Sequence, residues 1–119
     1  VWAEQRARQR AAPGGAVVRV SALPGDLERL LGASASAVAR AALGLAWVRV
    51  AGDDPAAVAE LRARLAPAPC VVEDAPAALR SGVDVWGVAD GPELDLLRRV
   101  KARFDPAGVC NRGRYVGGI

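Results

Sequence analysis

The sequence predicts an α+β fold of the ferredoxin-like kind. Two split β-α-β units would form a four-stranded antiparallel sheet with helices on one face, followed by a C-terminal helix and tail. Three observations lead there. Short segments rich in β-branched residues recur between segments of helical period, in the order β-α-β, β-α-β, α. The two internal helical segments suffice to cover one face of such a sheet, so the other face meets solvent or another domain. The chain has 119 residues, 52% of them apolar and mostly Ala, Val and Leu, which is enough for one thin core with closely approaching elements.

Residues 1–15 read as a linker or tail. Trp2 to Arg10 is charged and lacks the apolar core of a signal peptide. Pro13-Gly14-Gly15 is a turn that separates it from the folded part. Ala16-Val17-Val18-Arg19-Val20 is the first strand. Pro24-Gly25-Asp26 opens a short helix with Leu27, Leu30 and Leu31 at helical spacing, and Gly32 is its natural stop. Ser36 to Ala42 has two tendencies: Ala and Arg favour helix, but a clear strand, Leu45 to Val50, follows at once. Gly44 lies between them at a place suited to a hairpin turn, so a second strand is expected.

Gly52-Asp53-Asp54-Pro55 is a strong helix start, because an Asp cap satisfies an orphan N–H and Pro in the first turn has none to satisfy. Val58, Leu61 and Leu65 continue it as an apolar stripe, and Pro67 and Pro69 end it. Cys70-Val71-Val72-Glu73 is the fourth strand. Asp74 to Val88 reads as irregular, with a helical turn at Pro76-Ala77-Ala78-Leu79. Gly91-Pro92-Glu93 begins the last helix, whose stripe is Leu94, Leu97, Val100 and Phe104.

Composition removes several function classes. The net charge of +3 is mild and its arginines are scattered, with Arg6, Arg8 and Arg10 in the expected tail, so nucleic-acid binding is not indicated. With no His and two Cys, a zinc site of four Cys and His ligands cannot be built, and no metal is expected. Cys70 and Cys110 read as reduced thiols of a cytoplasmic protein, with a disulfide between them as the alternative. No apolar run approaches the ~20 residues that span a bilayer. The chain begins at Val1 rather than Met, and the expectation is a C-terminal part of a longer protein.

Side chains alternate along a strand. Ala46, Val48 and Val50 suit the helix side, as do Val18 and Val20. Leu45, Trp47 and Arg49 then point the other way, with Val17, Arg19 and Ser21, and Glu73 follows Val71. The open face would gather Arg19, Arg49, Trp47 and Glu73, and Arg40 if the second strand forms. On composition alone an ordinary solvated sheet face is the better reading of this set.

The tail is more specific. Phe104-Asp105-Pro106-Ala107-Gly108-Val109-Cys110-Asn111-Arg112-Gly113-Arg114-Tyr115 takes a helix into Asp-Pro, a Gly turn, an Asn and a Gly flanked by Arg. It resembles the closing signature of FAD-linked oxidases of the vanillyl-alcohol-oxidase type, in which a final helix leads into Asp-Pro-x-Gly-x-x-Asn-Pro-Gly-Lys/Arg. Arg112 stands where that family most often has Pro. The resemblance implies that residues 16–119 are the C-terminal cap domain and residues 1–15 the link from an N-terminal FAD-binding domain. It implies FAD as cofactor, with Asn111 and Arg112 near the flavin, and a 2-hydroxy acid substrate such as glycolate. Arg49 is then the first candidate for its carboxylate and Arg19 the second. No catalytic base is assigned. The glycolate-oxidising members imply two partners, a second flavin subunit and an iron–sulfur subunit, through which a cytoplasmic protein would be peripheral to the inner membrane. Trp86 has two readings, a packing anchor or a cover for the flavin edge. The alternative of a different class is a non-catalytic ferredoxin-like module that binds a ligand or another protein.

Overall fold

The computed structural model describes residues 1–34 and 36–119, and the side chains of all of these except Leu27. The chain divides into two compact units, residues 1–85 and 86–119.

The first unit has the expected α+β plan. Strands β1 (Gly15–Ser21), β2 (Ala37–Arg40), β3 (Leu45–Ala51) and β4 (Cys70–Asp74) form an antiparallel sheet in the order β2-β3-β1-β4. This is the ferredoxin-like order, with the first and third strands central. A helix α1 (Trp2–Arg8) precedes β1, in the segment expected to be a linker or tail; none of its residues is buried. A 3-10 turn at Pro24–Asp26 leads into α2 (Leu27–Gly32), and α3 (Pro55–Leu65) connects β3 to β4. The second strand forms as expected. The hairpin after it closes through Gly44, which has φ of 61° and donates its N–H to Ala41 while its carbonyl accepts from Ala22.

Asp54 caps α3, its carboxylate accepting the Ala56 N–H at 2.8 Å, and Pro55 follows at the first helical position. Val58, Leu61 and Leu65 are buried as the stripe requires. They pack with Leu30 and Ala33 against Ala16, Val18, Val20, Ala46, Val48, Cys70 and Val72, so the core lies between the helices and one sheet face. Leu79 of the short helix α4 (Ala77–Ser81) joins that core. Guanidiniums brace this thin core from outside. Arg62 donates to the carbonyls of Cys70 and Asp84, Arg64 to those of Gly32 and Ala33, and Arg29 to that of Ala66.

One irregularity decides what the open face carries. Val18 pairs with Val72, but Val17 pairs with Asp74, so Glu73 is an extra residue in β4. This is a β-bulge, in which two consecutive residues oppose one. An unbroken alternation would send Asp74 to the core side after Cys70 and Val72. The bulge turns both carboxylates outward and leaves Ala75 packed against the core.

The second unit contains α5 (Pro92–Phe104), which stops at Asp105-Pro106 as expected. Its stripe is not a core stripe: Leu94 is buried, while Val100 is 46% and Phe104 84% exposed. Leu94 packs beside Gly117, and Trp86 meets Tyr115 edge-on at 5.1 Å between ring centroids.

Candidate functional site

Arg19 and Arg49 lie in the first unit, and Asn111 and Arg112 in the second. Each pair is placed by its own local structure.

On the open sheet face, Arg19 pairs in register with Trp47 of β3 on one side and Val71 of β4 on the other. The Trp47 indole N–H donates to Glu73 Oε2 at 2.6 Å, across the width of β1. The Arg40 guanidinium lies 5.3 Å from the centre of the same indole, within cation–π range. The residues expected on this face are therefore gathered there. Arg19 is half-buried and has no hydrogen bond or ion pair among the described residues, so its guanidinium is available to an anion.

Arg49 has another engagement. Its Nε and Nη2 both donate to the Arg10 carbonyl, at 3.3 and 3.0 Å. From the opposite side Asp74 accepts the Ala11 N–H at 3.0 Å and pairs with Arg10 Nε at 3.2 Å. Val17 is the register partner of both Arg49 and Asp74 and is fully buried although it points to the open face. The Arg10–Ala11 segment is thus a strap tied down on both sides of Val17. Sequence reasoning missed Asp74, because the bulge that turns it outward is a backbone event, and missed the strap, because its own residues carry no strand or helix pattern.

At the N-terminal end of β1 the strap borders a cavity of about 480 Å³, lined in part by Gly14, Ser34, Ser36, Glu60 and Arg64. Ser34 Oγ donates to the Arg49 carbonyl at 2.6 Å there, and Arg64 is occupied with the end of α2, so the polar groups of this cavity mostly serve the fold.

In the tail, the organising residue is Asp105. Its carboxylate accepts the N–H groups of Val109 (3.0 Å) and Cys110 (2.9 Å) and pairs with Lys101 Nζ at 2.6 Å. The Lys101 ammonium, then the two N–H groups, holds this carboxyl down to about 2. The i, i+4 spacing of Lys101 and Asp105 ahead of Pro-x-Gly was the available signal for this clasp. Gly108 takes φ of 61°, and the turn closes with Asn111 in the left-handed region at φ of 48°. Asn111 is exposed, and its carbonyl accepts from the Arg114 N–H. Arg112 folds back, its Nε donating to the Gly108 carbonyl at 2.8 Å. The side-chain amide of Asn111 is thus presented outward by a fixed loop, while Arg112 is partly spent on that loop.

Both cysteines are free thiols: Cys70 is buried, and its pKa is raised by that burial against a smaller opposing pull from Arg62, whereas Cys110 is exposed. Among the described residues no group of three or more His, Cys, Asp or Glu side chains could share a metal ion, and no helix is long and apolar enough to cross a membrane. No protein-family model, curated protein or solved structure matches this chain.

Proposed function

We propose that this chain is the C-terminal cap region of an FAD-dependent oxidoreductase that oxidises a 2-hydroxy acid such as glycolate, similar to the FAD-binding subunit of glycolate oxidase. The observation that carries the reading is the tail. Its Asp105-Pro106, Gly108, Asn111, Gly113 and Arg114 keep the spacing of the flavin-oxidase signature, and they fold as a clasped turn that presents the Asn111 amide. A bound flavin would accept the hydride from the substrate α-carbon. Asn111 suits a hydrogen bond to the polar edge of such a ring, with either donor or acceptor available. The diphosphate would be held elsewhere, since the chain has no glycine-rich phosphate loop.

In this reading the open sheet face borders the substrate. Arg19, beside the fixed Trp47 indole, is the better anchor for a carboxylate, because Arg49 already serves the strap. Cytoplasmic location and partnership with a second flavin subunit and an iron–sulfur subunit belong to the same proposal.

The test uses the complete reading frame. The purified product should contain FAD and be reduced by a 2-hydroxy acid. Asn111→Ala should lower FAD retention or shift the flavin absorbance, while Arg6→Ala does neither. Arg19→Ala should raise KM by about tenfold or more, the loss expected of a charge-assisted pair. A reading frame without a flavin-binding domain, or a folded product without flavin, overturns the proposal and leaves the non-catalytic binding module.

A further inference from the structure

We infer that the outer stripe of α5 docks on an anionic lipid surface, a property separate from the flavin reading. Leu96, Val100 and Phe104 recur every fourth residue and are 53%, 46% and 84% exposed. Arg99 and Arg103 stand three residues beyond Leu96 and Val100, on the border of the same stripe. At about 100° per residue the five side chains occupy an arc of roughly 140°. Glu93, one turn before Leu96, is the acid on that arc.

Apart from Glu93, the other charges of α5 are neutralised locally. Arg98 pairs with Asp90 and Asp95, and Lys101 with Asp105. Arg99 and Arg103 have no hydrogen bond or ion pair among the described residues. The stripe therefore offers apolar surface bordered by two uncompensated guanidiniums, and its complement is an apolar phase with an anionic boundary. A stable protein interface engages about 20–30 residues a side with matched shape. A convex ridge three apolar side chains long falls far short of that, whereas a bilayer deforms around it. Helices with an apolar face and a basic border settle at the headgroup–acyl boundary for this reason.

The experiment is co-sedimentation of the chain at low salt with two kinds of vesicle. One is phosphatidylcholine alone and the other an equal mixture of phosphatidylserine and phosphatidylcholine. The chain should pellet with the mixed vesicles only, and added salt should release it. Phe104→Gln, and separately the double change Arg99→Gln with Arg103→Gln, should each weaken binding about tenfold. The double change Arg6→Gln with Arg8→Gln, an equal loss of charge on α1, should bind like the parent. All these positions are exposed, so unchanged circular dichroism and Tm will show that the variants fold. Binding to neither vesicle or equally to both overturns the inference. So does an equal loss in the Arg6/Arg8 variant, which would reveal a whole-chain charge effect. A Phe104→Gln change that instead alters sedimentation of the chain without lipid also overturns it, in favour of self-association.

Discussion

Arg49 on β3 and Asp74 on β4 hold the same dipeptide, Arg10–Ala11, from opposite sides of Val17. Neither contact is deeply buried, so solvent screening brings each below what a buried hydrogen bond to a charged group supplies. Together they keep the chain preceding β1 on the sheet.

The strap should therefore open locally before the sheet unfolds. Trypsin cleavage after Arg10 reports on that opening. Asp74→Ala and Arg49→Ala should each accelerate it by roughly fivefold, the factor that about 1 kcal/mol represents. The fragment from Ala11 onward should persist. Mass spectrometry of a digestion time course checks this, and equal rates in parent and variants would refute the strap.

Asp105 should confer a pH dependence on the tail. Its folded pKa is about 2, below the ordinary 3.8, so the unfolded form binds the proton more readily. The stabilisation is then fully present above the ordinary value and is lost as pH falls from about 3.8 toward 2. Amide exchange at Val109 and Cys110, corrected for intrinsic rates, should accelerate through that window. In Asp105→Ala these amides should already exchange quickly at neutral pH, with no acid step.

Gly44 and Gly14 separate two costs of a side chain at positive φ. A Cβ on Gly44 would lie 1.8 Å from the Ala22 carbonyl oxygen, whereas one on Gly14 meets nothing within 4 Å. Gly14→Ala should cost about 1–2 kcal/mol, the left-handed strain alone. Gly44→Ala should cost about 3 kcal/mol, since the β2–β3 hairpin must also move away from Ala22. Denaturant titrations of the two variants measure the difference.

The two cysteines should react at very different rates with a thiol reagent. Cys110 is exposed, while Cys70 is 2% exposed with its pKa raised. One thiol per native chain should titrate quickly and the other only on unfolding. Cys110→Ser should abolish the fast phase.

Much of the fold was legible because local rules decided it. Strand alternation separated Val18, Val20, Ala46 and Val48 from Arg19, Trp47 and Arg49, and Asp54-Pro55 marked the start of α3. The rest depended on what lies opposite. Periodicity showed that Leu94, Leu97, Val100 and Phe104 form a stripe on α5, but nothing in a period says what covers it, and Val100 and Phe104 are exposed. Residue type and strand parity placed Arg49 on the open face. Its commitment to the Arg10 carbonyl depends on where residues 9–12 run, and no local pattern encodes that path. Trp47 and Glu73 meet across an intervening strand, a pairing that follows from sheet order rather than from either residue's neighbours.

The bulge in β4 lets one rung of the ladder perform two tasks. Because Glu73 and Asp74 share the place opposite Val17, one acid can steady the indole while the other tethers the strap. Deleting either residue would restore an even alternation and leave Cys70, Val72 and Ala75 in phase, so the sheet could absorb the loss. The remaining acid would then have to choose between indole and strap. The extra residue thus buffers the interior against changes made outside: selection can alter the grip on the Arg10–Ala11 segment or on the Trp47 ring independently, and the packing behind the sheet registers neither.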